Sequence, residues 1–277
     1  MESVKISASE VNNLRKITGA GMMDCKQALV EAGGDTEKAI EILRKKGQKV
    51  AAKRSDRDAA EGQVIAKTTA NGDRAVMIVL NCETDFVAKN EAFGAVAQAI
   101  LDIAVNHNPA DLDALRALPY GNGMSITEKL TEEIGKIGEK IDLSAYETVS
   151  GASTVAYNHP GNKLAAIVAF NENIGEEAGR DVAMQVAAMA PVAVNPSEIP
   201  ADLIEKEREI ARELAIQEGK PADMADKIAE GRINKWYKEA ALLEQQFIKD
   251  NKLSVAQYLK SVNSGLTATA FRRIQLG

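Results

Sequence analysis

The segment of the sequence with the most distinctive chemistry is Thr84-Asp85-Phe86-Val87. It places a carboxylate directly before a large apolar ring, with a hydroxyl and an aliphatic side chain on either side. Such a pair can act on another protein, because the ring fills a pocket while the carboxylate accepts a hydrogen bond or repels an anion. The alternative is that Phe86 and Val87 pack this segment onto the chain's own core, where large apolar side chains are often buried.

Known catalytic, metal-binding and nucleotide-binding motifs are absent from the sequence. The nearest match to a phosphate-binding loop, Gly161-Asn162-Lys163, lacks both the preceding glycine spacing and the following hydroxyl. The two histidines, His107 and His159, lie too far apart to form a local metal-ligand pair, and no HExxH, Cys/His cluster or GxSxG motif occurs. We therefore expect no catalytic residue, no metal site and no cofactor.

The composition is typical of a folded protein of the cytoplasm. With 277 residues, 45% of them hydrophobic, the chain is long enough for two or three domains and can bury a sizeable core. Cys25 and Cys82 lie far apart and outside any CxxC spacing, so no disulfide framework is expected. No apolar run approaches the roughly 18 residues that span a bilayer, and no basic and apolar leader opens the sequence. These features predict a cytoplasmic location and no membrane partner.

The net charge of −6 is unevenly distributed. Residues 1–57 contain twelve Lys and Arg against eight Asp and Glu, a net charge of +4, so the remainder of the chain carries −10. The basic cluster between Arg44 and Arg54 can attract phosphate, or it can be the solvated C-terminal end of a helix, where cations complement the helix dipole. The acidic total argues against a dedicated nucleic-acid-binding protein.

A faint internal duplication surrounds the Thr84–Val87 segment. Residues 62–81 and 152–171 each read as an apolar strand, a turn and a second apolar strand, at a constant offset. A helical stretch follows each copy, after twelve residues in the first copy and eight in the second. The longer connection contains Thr84–Val87, and an extra loop that the fold does not require often carries function. Asn90 is expected to cap the helix that follows it.

Residues 1–56 read as three short helices, a pattern that resembles the ubiquitin-associated type of helical triplet. The third helix is predicted to end near Lys46, with Gly47 beyond its end. Met22 and Met23 fall in the first connection, where two exposed methionines would form an adaptable contact surface. The alternative is that one of them fills the core of the triplet.

Two heavily charged helices are predicted at residues 201–217 and 222–243, joined by a turn at residues 219–221. Narrow apolar stripes on charged helices suit an antiparallel hairpin that projects into solvent rather than a buried helix pair. The predicted stripe residues are Leu203, Ile210, Leu214, Met224, Ile228 and Ile233. Such a hairpin is either a structural protrusion or an arm that reaches a partner.

These elements predict an α+β fold with a duplicated core of two subdomains. The predicted parts are a helical N-terminal module (1–56), a first core copy (57–150), a second core copy (151–197 and 233–253), an antiparallel coiled-coil hairpin (198–232) and a short C-terminal module (254–277).

Several segments resemble the elongation factor Ts family of bacterial translation. They span nearly the whole chain in the family's order, and GAGMMDC and TDFV together are highly specific. One small departure is Gln246, where the family usually has Pro. The segments are LRKITGAGMMDCKQAL (14–29), NCETDFVAKNEAF (81–93), EGKP (218–221), AEGR (229–232) and LLEQQFIKD (242–250).

The resemblance implies a guanine-nucleotide exchange factor for the GTPase elongation factor Tu. Thr84–Val87 would then enter the partner's G domain near its magnesium and phosphate site, with Phe86 prying between helices and Asp85 perturbing the region that holds Mg²⁺. It further implies that the chain itself binds no nucleotide, requires no nucleic acid and makes no chemical bond.

The resemblance also implies two other contact regions on the chain. The helical module would grip the G domain around Arg15, Met22 and Met23. His159, at a predicted hairpin tip in the second copy, would lie toward another domain of the partner.

Two functions of other classes stay open from the residues alone. A passive adaptor or holdase would use the helical module and the hairpin only to bind. An RNA chaperone or ribosome-binding factor would use the basic N-terminal segment, and its affinity would fall steeply with salt.

Overall fold

The fold is known from a computed structural model, which describes residues 5–277 apart from the side chains of Ala222 and Asp223. The chain divides into two compact units. The first comprises residues 5–64, 78–146 and 276–277, and the second comprises residues 65–77 and 147–275. Helices occur together with small sheets, so the predicted α+β class is confirmed.

The helices of the described chain are α1 (Ala8–Thr18), α2 (Met22–Glu31), α3 (Thr36–Arg54), α4 (Asp85–Ala88), α5 (Glu91–His107), α6 (Leu112–Ala117), α7 (Ile126–Ile137), α8 (Glu176–Met189), α9 (Ala201–Gln217), α10 (Ala222–Ala240) and α11 (Val255–Val262). The strands are β1 (Glu61–Thr68), β2 (Arg74–Cys82), β3 (Pro119–Gly121), β4 (Met124–Ser125), β5 (Ile141–Ser150), β6 (Ser153–Asn158), β7 (Leu164–Phe170), β8 (Gln246–Phe247), β9 (Asp250–Ser254) and β10 (Ala268–Gln275). Within residues 5–277, no helix combines the length and apolar character that a membrane span requires.

The three helices expected at the N-terminus are present and share one small core. Helix α1 begins with a capping box, in which Ser7 accepts the backbone N–H of Glu10 and the Glu10 carboxylate accepts the backbone N–H of Ser7. Cys25 is fully buried where the helices meet. The buried members of this core are Val11, Leu14, Ala20, Cys25, Ala28, Leu29 and Ala39.

The prediction that the third helix ends near Lys46 is wrong, because α3 continues through Gly47 to Arg54. Gly47 lies inside the helix because α7 packs closely against it. A Cβ built on Gly135 of α7 would lie 2.7 Å from the Cα of Gly47. The glycine therefore permits a close helix contact rather than ending a helix, and this contact offsets its low helix propensity.

Two three-stranded sheets are present, with strand orders β1-β2-β5 and β10-β7-β6. Each contains a hairpin whose second strand also pairs with a later strand, and each hairpin leads into a long helix, α5 or α8. In the second sheet Val168 lies between Val155 of β6 and Phe271 of β10. The connection from β2 to α5 contains α4, whereas residues 171–175 connect β7 to α8 without a helix.

The core of the second unit lies between its sheet and helices α8 and α11. Within it, the Gln185 side chain of α8 is fully buried. Its Nε2 donates to Oε1 of Gln245 at 3.0 Å, and its Oε1 accepts the N–H of Ile248 at 2.9 Å. Buried amides of this kind keep their hydrogen-bonding groups satisfied, and they fix the segment after α10 to α8.

The predicted pair of charged helices is present as α9 and α10, which lie antiparallel. Arg208 of α9 contacts Glu230 of α10, and Arg212 contacts Asp226, so residue numbers rise along one helix as they fall along the other. The turn between the helices includes Gly219, whose φ of 78° is left-handed.

The predicted apolar stripes of this pair are partly wrong. Ile210, Leu214 and Met224 are 41%, 46% and 51% exposed, although Ile233 is buried as expected. The contact seam is formed mainly by small residues instead, because alanines let two helix backbones approach closely while larger side chains are displaced to the flanks. The buried seam residues are Ala211, Ala215, Ala225, Ala229 and Ile233.

The contact between α3 and α7 leaves no space for a side chain at Gly135. Gly135→Ala should destabilise the protein by about 1–3 kcal/mol, because its Cβ has no space against Gly47. Gly231→Ala is the matched control, since nothing lies within 4 Å of its Cβ position on α10, and this variant should gain about 0.5–1 kcal/mol. Urea unfolding measures both changes, and equal effects of the two substitutions would contradict the close contact.

Candidate partner-binding site

The segment singled out by the sequence forms a single helical turn, α4, rather than an irregular loop. Thr84 caps this turn, and its Oγ1 accepts the backbone N–H of Val87 at 3.4 Å. Asn90 caps the next helix as predicted, because its Oδ1 accepts the N–H of Ala92 at 2.8 Å. The chain therefore bends sharply between two caps, and Asp85 and Phe86 lie on the first turn between them.

The start of the turn is held by the carboxylate of Glu139, which follows the end of α7. Its Oε2 accepts the backbone N–H of Glu83 at 3.1 Å and that of Thr84 at 3.0 Å. Its Oε1 accepts the Thr84 hydroxyl at 2.7 Å. Three hydrogen bonds from one charged group thus hold the backbone and the cap of α4.

A second carboxylate, that of Glu83, lies beside the first and is only 12% exposed. It accepts the backbone N–H of Lys140 at 2.7 Å, both its oxygens lie within 3.1 Å of the Arg54 guanidinium, and Arg57 lies 3.3 Å away. The Lys140 N–H lowers the pKa of Glu83 most; burial opposes this, and the positive charges of Arg54 and Arg57 lower the pKa further.

Phe86 projects away from this anchored backbone. Its side chain is 83% exposed, whereas Ala88 on the same turn is buried and its carbonyl accepts a hydrogen bond from Nε2 of Gln63 at 2.7 Å. The alternative that Phe86 packs the segment onto the core is therefore contradicted, while Val87 is half-buried. An exposed aromatic ring on a fixed backbone is a typical anchor for a partner's pocket.

Asp85 faces a neighbouring cation on the same turn. Its carboxylate lies 2.7 Å from the ammonium of Lys89, and both side chains are substantially exposed. The hydrogen bond from Asp85 raises the pKa of Lys89. An exposed ion pair of this kind contributes little to the stability of the protein.

Cys82 lies beneath the turn and is fully buried. Its thiol donates to the carbonyl of Thr84 at 3.2 Å. Burial, together with the negative charges of Glu139 and Glu61, raises the pKa of this thiol to about 11. Neither Cys82 nor Cys25 forms a disulfide, as the sequence predicted.

The N-terminal residues that the sequence analysis predicts to contact a partner lie on the same unit as α4. Met22 and Met23 are 53% and 74% exposed, so the alternative that one of them fills the core is contradicted. They begin α2 instead of lying in a connection. Arg15 is exposed on α1.

His159 belongs to the second unit. It is exposed at the tip of the β6–β7 hairpin, and its Nδ1 lies 3.0 Å from the hydroxyl of Tyr157. Among the described residues, no group of three or more His, Cys, Asp or Glu side chains is arranged to hold a metal ion.

The sequence-based reasoning missed the residues that hold the turn. Glu139 lies 55 residues beyond Thr84, and Arg54 lies 29 residues before Glu83, so no local spacing connects them. The sequence signal nearest to them is the basic cluster that ends at Arg54, for which the expected roles are phosphate attraction or a solvated helix end rather than pairing with a carboxylate.

An exposed aromatic side chain on a held backbone is typical of a protein-binding surface. Comparison with known proteins identifies the family of the chain. Residues 83–277 match the family model described as Elongation factor TS. The chain is 51% identical over 275 residues to Elongation factor Ts of Amoebophilus asiaticus, covering 98% of this chain and 99% of that protein.

Other relatives are similar over the same extent. Identity to Elongation factor Ts of Porphyromonas gingivalis is 51% over 272 residues, with 98% of each chain covered. Identity to Elongation factor Ts of Christiangramia forsetii is 50% over 275 residues, with 99% of each covered. The chain belongs to the elongation factor Ts family.

The lowered pKa of Glu83 makes the free energy of unfolding depend on pH. A carboxylate whose pKa is lower in the folded state stabilises the protein above its ordinary value of 4.5 and loses this effect as pH falls through the folded pKa. Glu83→Gln should therefore reduce the free energy of unfolding most near neutral pH, and the difference from wild type should shrink below about pH 4.5.

Urea unfolding between pH 3 and 7 measures this difference. Val30→Ala, an exposed substitution without a titratable group, is the control, and its small effect should not change with pH. A difference for Glu83→Gln that is constant across this range would contradict the role assigned to its charge.

Proposed function

We propose that this chain is a guanine-nucleotide exchange factor, which binds elongation factor Tu·GDP and promotes GDP release so that GTP can bind during translation elongation. Membership in the elongation factor Ts family supports this function. The observation that carries it is the exposed ring of Phe86 on a turn whose backbone is already held by Glu139 and by Glu83.

In this mechanism the turn acts as a wedge at the magnesium and phosphate site of the partner. Phe86 enters between helices of the partner's G domain, and Asp85 perturbs the region that holds Mg²⁺. Loss of a Mg²⁺ bridge and of charged phosphate contacts amounts to several kcal/mol, because such contacts are strong in a closed site. A tenfold faster release requires only about 1.4 kcal/mol of barrier reduction, so one ring and one carboxylate suffice.

Preorganisation supports the wedge mechanism. Ordering one residue of backbone costs about 1–2 kcal/mol, and in the free protein this cost has already been met for α4 by hydrogen bonds within the chain. A partner's pocket therefore receives the Phe86 ring without first ordering the segment.

Reciprocal linkage then explains the exchange. If the factor binds the nucleotide-free partner more tightly than the GDP-bound partner, GDP must weaken the factor's binding by the same ratio. The chain needs no bound nucleotide, nucleic acid or bond-making chemistry of its own for this purpose.

Other surfaces would provide affinity. We propose that Arg15, Met22 and Met23 grip the G domain, because exposed methionines adapt to a partner surface and an exposed guanidinium can pair with acceptors there. His159 would lie toward another domain of the partner.

The proposed arrangement of modules follows the sequence prediction. Residues 1–56 form a ubiquitin-associated-like module, residues 198–232 form an antiparallel coiled coil, and residues 254–277 form a C-terminal module. The two core copies are residues 57–150 and, jointly, residues 151–197 and 233–253.

Phe86→Ala should leave the fold unchanged, because the ring is 83% exposed, and should lose most of the stimulation of GDP release, at least tenfold. The measurement follows fluorescent GDP as it leaves elongation factor Tu, with and without the chain. Met189→Ala is the control, since this residue is also exposed and apolar but lies on α8, and it should retain full activity.

The outcomes separate the alternatives. No acceleration by the wild-type chain would contradict exchange, and binding without acceleration would favour the adaptor. Acceleration that survives Phe86→Ala at full strength would contradict the wedge but not the exchange function.

The N-terminal grip gives a separate expectation. Substitution of both Met22 and Met23 by Ala should raise the factor concentration for half-maximal acceleration about tenfold, because it removes apolar contact area. The maximal rate should change little, since the Phe86 turn is intact. A lowered maximal rate with an unchanged concentration for half-maximal acceleration would contradict the proposal that Met22 and Met23 contribute only binding affinity.

A further inference from the structure

We propose that Glu139 is the positioning residue that holds the Phe86 turn in its presented conformation, an inference that rests on the proposed exchange function. Nothing in the sequence pattern marks this residue, which follows the last turn of α7 and precedes β5. Its importance comes from what its carboxylate contacts.

Helix α4 is too short to be stable alone. It contains four residues, whereas isolated helices of fewer than about 12–15 residues are marginal in water. Its conformation must therefore come from contacts with the rest of the first unit. A buried residue, Ala88, anchors its far end, and Gln63 donates to the Ala88 carbonyl there.

Glu139 fixes the near end through the cap. The Thr84 hydroxyl donates to Glu139 while the same oxygen accepts the N–H of Val87, so the carboxylate orients the hydroxyl for capping. Glu139 also accepts the N–H groups of Glu83 and Thr84. Its removal leaves two N–H groups and one hydroxyl without these acceptors at the position where the chain enters α4.

Each of the two segments holds the backbone of the other through a side-chain carboxylate, which restricts the movement of both segments. The side chain of Glu139 accepts from the backbone of residue 83, and the side chain of Glu83 accepts from the backbone of residue 140. We call these hydrogen bonds the 83–139 clasp. Gly138 ends α7 in a left-handed conformation, with φ of 79°, and directs the next two residues toward the clasp.

A loosened clasp should lower the fraction of molecules that present Phe86 correctly. The acceleration of GDP release that depends on this conformation then falls in proportion. The N-terminal contact residues lie on other helices and should still bind the partner. The expected signature of Glu139→Ala is therefore a maximal exchange rate lowered about tenfold, with the concentration for half-maximal acceleration changed less than about twofold. Partial unfolding would give a different result, since it lowers the concentration of folded chain. The total chain concentration needed for half-maximal acceleration would then rise.

The first test uses the full chain without any partner. Hydrogen exchange followed by NMR should show faster exchange at the amides of Glu83 and Thr84 in Glu139→Ala, by about tenfold or more, with the Gly94 amide of α5 unchanged. Unchanged protection at both amides overturns the proposal, whatever the chain does to elongation factor Tu.

The second test measures GDP release from elongation factor Tu. Glu139→Ala should show the lowered maximal rate, and Glu139→Gln should recover most of it, because its carbonyl can still accept the two N–H groups. Glu128→Ala is the matched control, since that carboxylate accepts the N–H and hydroxyl of Ser125 at the start of α7, and it should retain the wild-type maximal rate.

A combined substitution completes the test. Asp85→Ala, Phe86→Ala and Glu139→Ala together should release GDP at the rate of Asp85→Ala with Phe86→Ala, because Glu139 acts through the turn that carries both side chains. An additional loss in the triple variant overturns the positioning role. If the wild-type chain does not accelerate GDP release, the proposed function fails, while the amide exchange result still decides whether Glu139 positions the turn.

Discussion

The exposed position of Phe86 depends on the hydrogen bonds between two carboxylates and the backbone of two distant segments. A single helical turn has too few internal hydrogen bonds to maintain itself, and a ring that is 83% exposed adds little packing energy of its own. Glu83 and Glu139 supply what the turn lacks, because charged acceptors form stronger hydrogen bonds than neutral ones. The aromatic side chain can then stay in solvent without folding back onto the core.

Local patterns in the sequence predicted the elements well, because they depend on neighbouring residues. The two hairpins, the helix after each and the Asn90 cap follow from periodicity and capping chemistry over a few positions. The sequence also indicated the chemical character of Thr84–Val87. It did not indicate the residues that hold this segment, because Glu139 and Arg54 contact the segment only through the tertiary fold.

Two of the errors in the sequence-based predictions share one physical cause, which is the close approach of helices through small residues. Gly47 reads as a helix end by propensity, yet it lies inside α3 where the backbone of α7 comes near. Ile210 and Leu214 read as the contact stripe by hydrophobicity, yet Ala211 and Ala215 form it. Propensity and hydrophobicity describe a residue by itself, whereas the distance between two backbones decides which side chains fit between them.

The continuity of α3 has a consequence for how the first unit binds. A helix of 19 residues is roughly 28 Å long, and it runs without a break from the core beside α2 to the ion pair between Arg54 and Glu83. The methionines of α2 and the ring on α4 are thus connected through one continuous helix. If both surfaces bind the partner as proposed, contact by one places the other at a high effective concentration, so two modest contacts combine as a bivalent ligand does.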